Sequence, residues 1–283
     1  MSSYPPEHHV LRDLRFESQR FAVDRARAWI PLQPALCADD GSLRVGALAM
    51  MVDVAAASVA LIAATPDWSA TADLAYWTAR PIVVGPLICE SRLVRAGRGI
   101  IVIDADVYDG HGADEITTDR AGHARLSFSR IPASASAAAG RVDRSGAPTP
   151  RTTMSGPDAH FAAPLFDALG LRFGDDAVGH VECDKSDYVR NSFGTINGGV
   201  VCAIFEASAE RAARASQCGA PLVARDLQVH FLAQTKVGPA RATSRVLRQD
   251  QHHAVIESRL VDAGHNDTVL ALATTSFGPV NQA

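Results

Sequence analysis

Cysteine is scarce. Cys37, Cys89, Cys183, Cys202 and Cys218 are scattered, odd in number and form no CxxC pair. That spacing argues against a disulfide framework or a structural zinc site, and it fits a reducing, cytoplasmic setting. Positive charge is not in surplus either: 27 basic residues stand against 31 acidic ones, for a net of −4. Without excess Lys and Arg to neutralise phosphates, nucleic-acid binding is not expected as the main activity. The first ten residues are polar, hold Pro5, Pro6, His8 and His9, and have no apolar signal-peptide core. The longest apolar run, residues 47–64, is interrupted by Asp53 and Ser58. A buried core helix is expected there, not a membrane span. No GxSxG, P-loop or GxGxxG is present, and Gly97-Arg98-Gly99 reads as a turn between strands. His230, His252 and His253 have no carboxylate placed to complete a metal triad, so neither a metal nor a separate cofactor is expected.

What the chain does have is a second copy of itself. At a constant shift of 153 positions, Gly46 meets Gly199, Asp53 meets Glu206, and Asp73-Leu74 meets Asp226-Leu227. The same shift places Val84-Gly85-Pro86 on Val237-Gly238-Pro239, Ser91-Arg92 on Ser244-Arg245, Arg95 on Arg248 and Asp109 on Asp262. After a small insertion, Ser127-Phe128 falls on Ser276-Phe277 at a shift of 149. A period this long is a duplicated domain, not a solenoid unit. Residues 1–131 form the first repeat and 158–283 the second. Between them, 132–157 is rich in Ala, Ser, Gly, Pro and Arg and reads as a linker, extended or disordered.

Each repeat predicts one long helix followed by four strands. The helices are expected at 47–64 and 200–216. The strands are expected at 72–79, 87–96, 100–108 and 123–131, then at 223–233, 240–247, 254–261 and 268–277. Earlier strands are expected near 26–32 and 179–183, and a short amphipathic helix over 161–173. A single apolar helix beside a mostly antiparallel sheet is buried only if the sheet wraps it, so the fold class is α+β.

The chemistry gathers at the two helix starts. Asn191 and the turn Asn197-Gly198-Gly199 precede the second helix, where two glycines permit close approach to free N–H groups. Such a pole suits either a tight turn or a carbonyl oxygen gaining negative charge. Asp53 is the one charged residue between Arg44 and Asp67, and Glu206 holds the equivalent place. A lone acid on a core helix must be hydrogen-bonded, face a cavity or be protonated. Gly198 and Glu206 are eight residues apart, roughly 12 Å along one helix, so one carbonyl cannot touch both. Antiparallel helices about a pseudo-two-fold axis would instead set the Asn191/Gly198 loop against Asp53, and the Arg44-Val45-Gly46 turn against Glu206.

These residues resemble the hotdog acyl-CoA thioesterases of the phenylacetate-pathway type, which carry Asn or Gln, then His-Gly-Gly, then Asp or Glu in the central helix. Here Asn197 replaces the His, and Arg44-Val45 replace His-Gly in the first copy. The resemblance covers nearly the whole chain and implies a tandem, double-hotdog fold with sites between paired repeats. The implied reaction is hydrolysis of an acyl-CoA to free acid and CoA, with CoA entering as part of the substrate. By position, Gly198 would polarise the thioester carbonyl and Asn191 would orient substrate or water. Asp53 and Glu206 would be bases or nucleophiles. Asn197 and Gly199 would line the substrate site, and Arg80, Arg95 and Arg248 are candidates for phosphate contact. A homo-oligomer of double-hotdog chains is expected, with no membrane partner. A non-catalytic acyl-CoA binding protein, or less readily a hydratase or dehydratase, is the rival reading.

Overall fold

The computed structural model describes residues 4–116, 120–133, 145–174, 178–216 and 222–279. The first half folds as α1 (Val10–Asp13), β1 (Glu17–Ala22), β2 (Arg25–Ile30), α2 (Val45–Ala64), β3 (Trp68–Thr78), β4 (Leu87–Ala96), β5 (Ile100–Asp109) and β6 (Arg120–Ile131). The second half begins with β7 (Thr152–Thr153), α3 (Leu165–Ala168), β8 (Arg172–Phe173), β9 (Val181–Cys183) and α4 (Gly198–Ala215). It closes with β10 (Leu222–Phe231), β11 (Ala240–Gln249), β12 (Ala254–Asp262) and β13 (Thr268–Pro279).

The strands form one antiparallel sheet in the order β7-β1-β2-β4-β5-β6-β3-β10-β13-β12-β11-β9-β8. β3 and β10 join the halves, and Ala75 pairs with Gln228, its own counterpart 153 positions on. A pseudo-two-fold axis therefore passes between those two residues. The helices obey the same axis. A Cβ on Gly46 would lie 2.7 Å from the Ala203 Cα, and one on Gly199 only 2.3 Å from the Met50 Cα. Ala203 is the counterpart of Met50 as Gly199 is of Gly46. Glycine is needed at both crossings because the two backbones touch there. α2 and α4 thus run antiparallel, each wrapped by its own half of the sheet. This is a tandem hotdog of α+β class.

α2 is Ala-rich and apolar on all sides, and it is long and apolar enough to cross a bilayer. It is instead enclosed by the strands of its own repeat and by α4, with Ala47, Met50, Met51, Ala56 and Ala60 fully buried. α4 is more amphipathic and turns Glu210, Arg211 and Arg214 outward.

The repeated Val-Gly-Pro motif now has a structural reason. Asp109 accepts hydrogen bonds from the N–H groups of Val83, Val84, Gly85 and His111 at 2.7–3.1 Å. Asp262 does the same for Lys236, Val237 and Gly238 at 2.7–3.0 Å. Gly85 and Gly238 sit at φ +74° and +87°, a left-handed turn that folds the backbone around the carboxylate. Burial raises each carboxyl pKa, but the ring of N–H donors outweighs it and holds both below the ordinary value. Their stabilisation is therefore present at neutral pH and is lost as pH falls through the folded pKa. Asp262→Ala should cost about 3 kcal/mol at pH 7, because three donors lose a charged acceptor. Urea unfolding should show that gap narrowing in acid; a gap independent of pH would contradict the charged nest.

Three local expectations change. The helix expected over 161–173 is one turn, Leu165–Ala168, because Pro164 caps its start and Gly170 at φ +67° ends it. Arg172 and Phe173 then pair with β9. The strand near 26–32 is half of a hairpin, with β1 paired to β2 through a turn at Val23 and Asp24. Part of the 132–157 segment is extended: Thr152 and Thr153 pair with Ser18 and Glu17, and Arg151 lies 4.2 Å over the Trp29 ring. Residues 134–144 of that segment lie outside the described residues.

Candidate active site

The pseudo-two-fold brings each helix start to the other helix's acid. At the start of α4, Asn197 caps the helix, its Oδ1 accepting from the Gly199 N–H at 2.9 Å. A Cβ on Gly198 would lie 2.8 Å from the Asp53 Oδ2. Among the described residues none accepts from the Gly198 N–H, which is left at the positive end of the helix. Asp53 is 6% exposed, and its Oδ1 accepts from the Thr71 hydroxyl at 2.7 Å. Burial pushes its carboxyl up to about 6, against the pull of Thr71 and of the Gly199 N–H. Asn191 closes its own loop: its Oδ1 accepts from the N–H groups of Phe193 and Thr195 at 2.9 and 3.3 Å. Phe193 in that loop meets Trp68 edge to face, with ring centres 5.6 Å apart.

The second pole is built differently. Position for position, Arg44 stands for Asn197, Val45 for Gly198 and Ala224 for Thr71. The Glu206 Oε2 accepts directly from the Gly46 N–H at 2.7 Å, so the acid itself occupies the helix start. Arg44 lies 3.7 Å from Glu206 and 2.8 Å from Glu210, and stacks on Phe166 at 4.4 Å. Burial pushes the Glu206 carboxyl up to about 7, while Arg44 pulls it down. A cleft of about 560 Å³ opens above Arg44, lined also by Phe166, Phe173, Glu210, Arg211 and Arg214. Its cation over the acid is already paired, and the N–H that could polarise a carbonyl is spent on Glu206.

A family model described as the thioesterase superfamily matches residues 193–269, the span holding the Gly198 turn and Glu206. A second, the acyl-CoA thioesterase C-terminal domain, matches residues 5–113, the span holding Asp53 and Thr71. Each match covers less than half of the chain, and together they cover about two thirds of it. The chain is a thioesterase, a thioester hydrolase, and each repeat is recognised separately. Solved structures share the fold. A TesB protein of Mycobacterium avium subspecies paratuberculosis is 14% identical with a TM-score of 0.59, over 95% of this chain and 97% of that one. An acyl-ACP thioesterase of Bacteroides thetaiotaomicron is 10% identical with a TM-score of 0.56, over 89% of this chain and 97% of the other. The 12:0-ACP thioesterase of Umbellularia californica is 10% identical with a TM-score of 0.56, over 90% and 94%. No curated protein sequence matches the chain.

Within this thioesterase, Asp53, Asn197, Gly198 and Gly199 come together, and Glu206 joins the opposite pole. The three arginines do not converge with them. Arg95 and Arg248 are exposed at equivalent bulges in β4 and β11, and Arg80 follows β3 with its N–H donated to the Ala121 carbonyl. Thr71 is absent from the sequence-level candidates. Its signal was weak, since the matching residue Ala224 breaks the repeat and only a strand bulge turns the hydroxyl to Asp53.

Proposed function

We propose that the thioesterase hydrolyses acyl-CoA at one site per chain, between Asp53 on α2 and Gly198 at the start of α4. The observation that carries this reading is the packing of Asp53 against Gly198 while the Gly198 N–H stays unclaimed. The thioester carbonyl would accept from that N–H, where the helix dipole favours the developing negative charge. Asp53 in its ionised form takes a proton from water as the water oxygen bonds to the carbonyl carbon. The tetrahedral intermediate then collapses, the carbon–sulfur bond breaks, and the proton on Asp53 passes to the departing thiolate. The products are the free acid and CoA thiol.

Thr71 holds the carboxylate in line, and Asn191 shapes the loop that presents Gly198. Glu206 is assigned an anchoring role, because its carboxylate caps the first turn of α2 and is neutralised by Arg44. Release of thiol from acyl-CoAs of graded chain length tests the reading; no release from any of them would end it. The pH profile gives a second check. A base must be ionised, so kcat should rise with pH and reach half its plateau near about 6, the value to which burial pushes Asp53. A profile flat from pH 5 to 8 would remove Asp53 from the rate-limiting step.

A further inference from the structure

The N-terminal segment of the first repeat crosses onto the second and docks on the loop before α4. Val10, Leu11 and Leu14 are buried in the shared core and seat the α1 turn. Arg12 ties the turn to the carbonyls of Pro5 and Pro6 at 2.9 and 2.7 Å, and Gln33 donates to the Asp13 carbonyl at 2.8 Å. His9 stands at the head of α1 and is fully buried. Its Nδ1 accepts from the Leu11 N–H at 3.1 Å, so the ring proton sits on Nε2. Nε2 donates to the Arg190 carbonyl at 2.7 Å. Alongside, the Val10 N–H donates to the Tyr188 carbonyl at 3.1 Å, and the Tyr188 hydroxyl to Asp13 at 2.8 Å.

Between those two carbonyls lies the one that holds the helix start. The Val189 carbonyl accepts from the Asn197 N–H at 2.8 Å, and Asn197 caps α4 one residue before Gly198. Arg190 also pairs with Ile196, closing the loop that Asn191 braces from within. Three successive carbonyls, Tyr188 to Arg190, are thus claimed by α1, by the cap of α4 and by the His9 ring. The matching loop of the first repeat is built alike: the Leu36 carbonyl accepts from the Arg44 N–H at 2.9 Å, and Cys37 pairs with Leu43. Ala162, however, holds the place equivalent to His9 and has no ring to donate. The imidazole therefore goes with the pole where Gly198 faces Asp53, and not with the pole where Glu206 fills the helix start.

We infer, resting on the hydrolytic reading of the Asp53 site, that His9 is a positioning residue. Its bond to the Arg190 carbonyl fixes the loop that sets the Gly198 N–H against the thioester carbonyl. A donor aimed at an oxyanion must be held within about 0.5 Å of its productive place. A shift of about 1 Å costs up to about 10²-fold in rate.

Two amides divide the two bonds of the ring. His9→Asn keeps an acceptor for the Leu11 N–H but is too short to reach the Arg190 carbonyl. His9→Gln carries a donor to where Nε2 stood. His9→Asn should lower kcat by about 10- to 100-fold with KM within about threefold of wild type. His9→Gln should keep both constants within about threefold. In a ¹H–¹⁵N spectrum the Gly198 amide should move in His9→Asn and stay in place in His9→Gln. A wild-type kcat or an unmoved Gly198 amide in His9→Asn overturns the inference. So does a His9→Gln protein as slow as His9→Asn, which would leave the ring a packing role alone. Should His9→Asn not fold, Tyr188→Phe takes its place by cutting the bond to Asp13. It should move the same amide and lower kcat by about threefold, and a wild-type value of either overturns the inference. If wild type releases no thiol, the hydrolytic reading fails by itself, and the Gly198 amide still decides the positioning.

Discussion

Asp53→Asn is expected to lower kcat by about 10³-fold while leaving KM within a few-fold of wild type. The amide keeps the shape of the carboxylate but cannot take a proton from water, and general-base catalysis contributes about 10²–10⁴-fold. Folding should survive, because the amide carbonyl can still accept from the Thr71 hydroxyl. Removing a buried group whose folded pKa is raised also removes a penalty at neutral pH. Stability from such a group is fully present below its unfolded pKa and is lost as pH rises through about 6, so the variant should equal or exceed wild type in urea midpoint at pH 8.

The matching change at the other pole separates the two carboxylates. Glu206→Gln keeps an oxygen for the Gly46 N–H and should retain activity within about fivefold, since no thioester carbonyl is polarised there. Its stability curve should also lose the decline that Glu206 imposes as pH climbs through about 7. If Glu206→Gln is as inactive as Asp53→Asn, the catalytic assignment is reversed or shared. Thiol release and urea titrations on the same two proteins decide it.

The second large effect is expected at the helix crossing. Gly199→Ala places a methyl 2.3 Å from the Met50 Cα, a backbone atom that cannot rotate away. The helices must separate, and overpacking of this kind costs about 3 kcal/mol or more. In a chain of this size that lowers Tm by about 10 °C. Activity should fall with it, because the shift carries Gly198 away from Asp53. Gly99→Ala is the control. A Cβ there meets nothing within 4 Å, so thermal unfolding and turnover should both match wild type within error. An unshifted Tm for Gly199→Ala would mean that the two helices do not cross as closely as described.

Much of the architecture was legible because duplication prints itself twice. The pairs Gly46/Gly199, Asp53/Glu206 and Asp109/Asp262 each mark a place where a backbone crossing, a buried acid or a nest of N–H donors constrains the residue in both copies. Helix rise excluded a site built from the start and the acid of one helix, since the two lie about 12 Å apart; the antiparallel crossing was a conditional expectation that the structure supplied. Less legible were features made by one copy only. Thr71 has no counterpart hydroxyl, since Ala224 holds its place in the second copy, so it left no repeating mark in the sequence.

The Cys37, Cys89, Cys183 and Cys202 thiols are free, as the lack of any CxxC spacing implied. The sequence by itself determined the doubling, the apolar helix that the sheet must wrap, and the two acids that burial makes costly. These follow from composition and period, which act along the chain. Only the tertiary structure decided which acid faces an open N–H. Glu206 folds back on the Gly46 N–H beside Arg44, whereas Asp53 is held by Thr71 and packs against Gly198 without taking its N–H. That difference rests on distances of a few ångströms between residues more than a hundred positions apart, and such distances exist only once the two repeats have closed on each other.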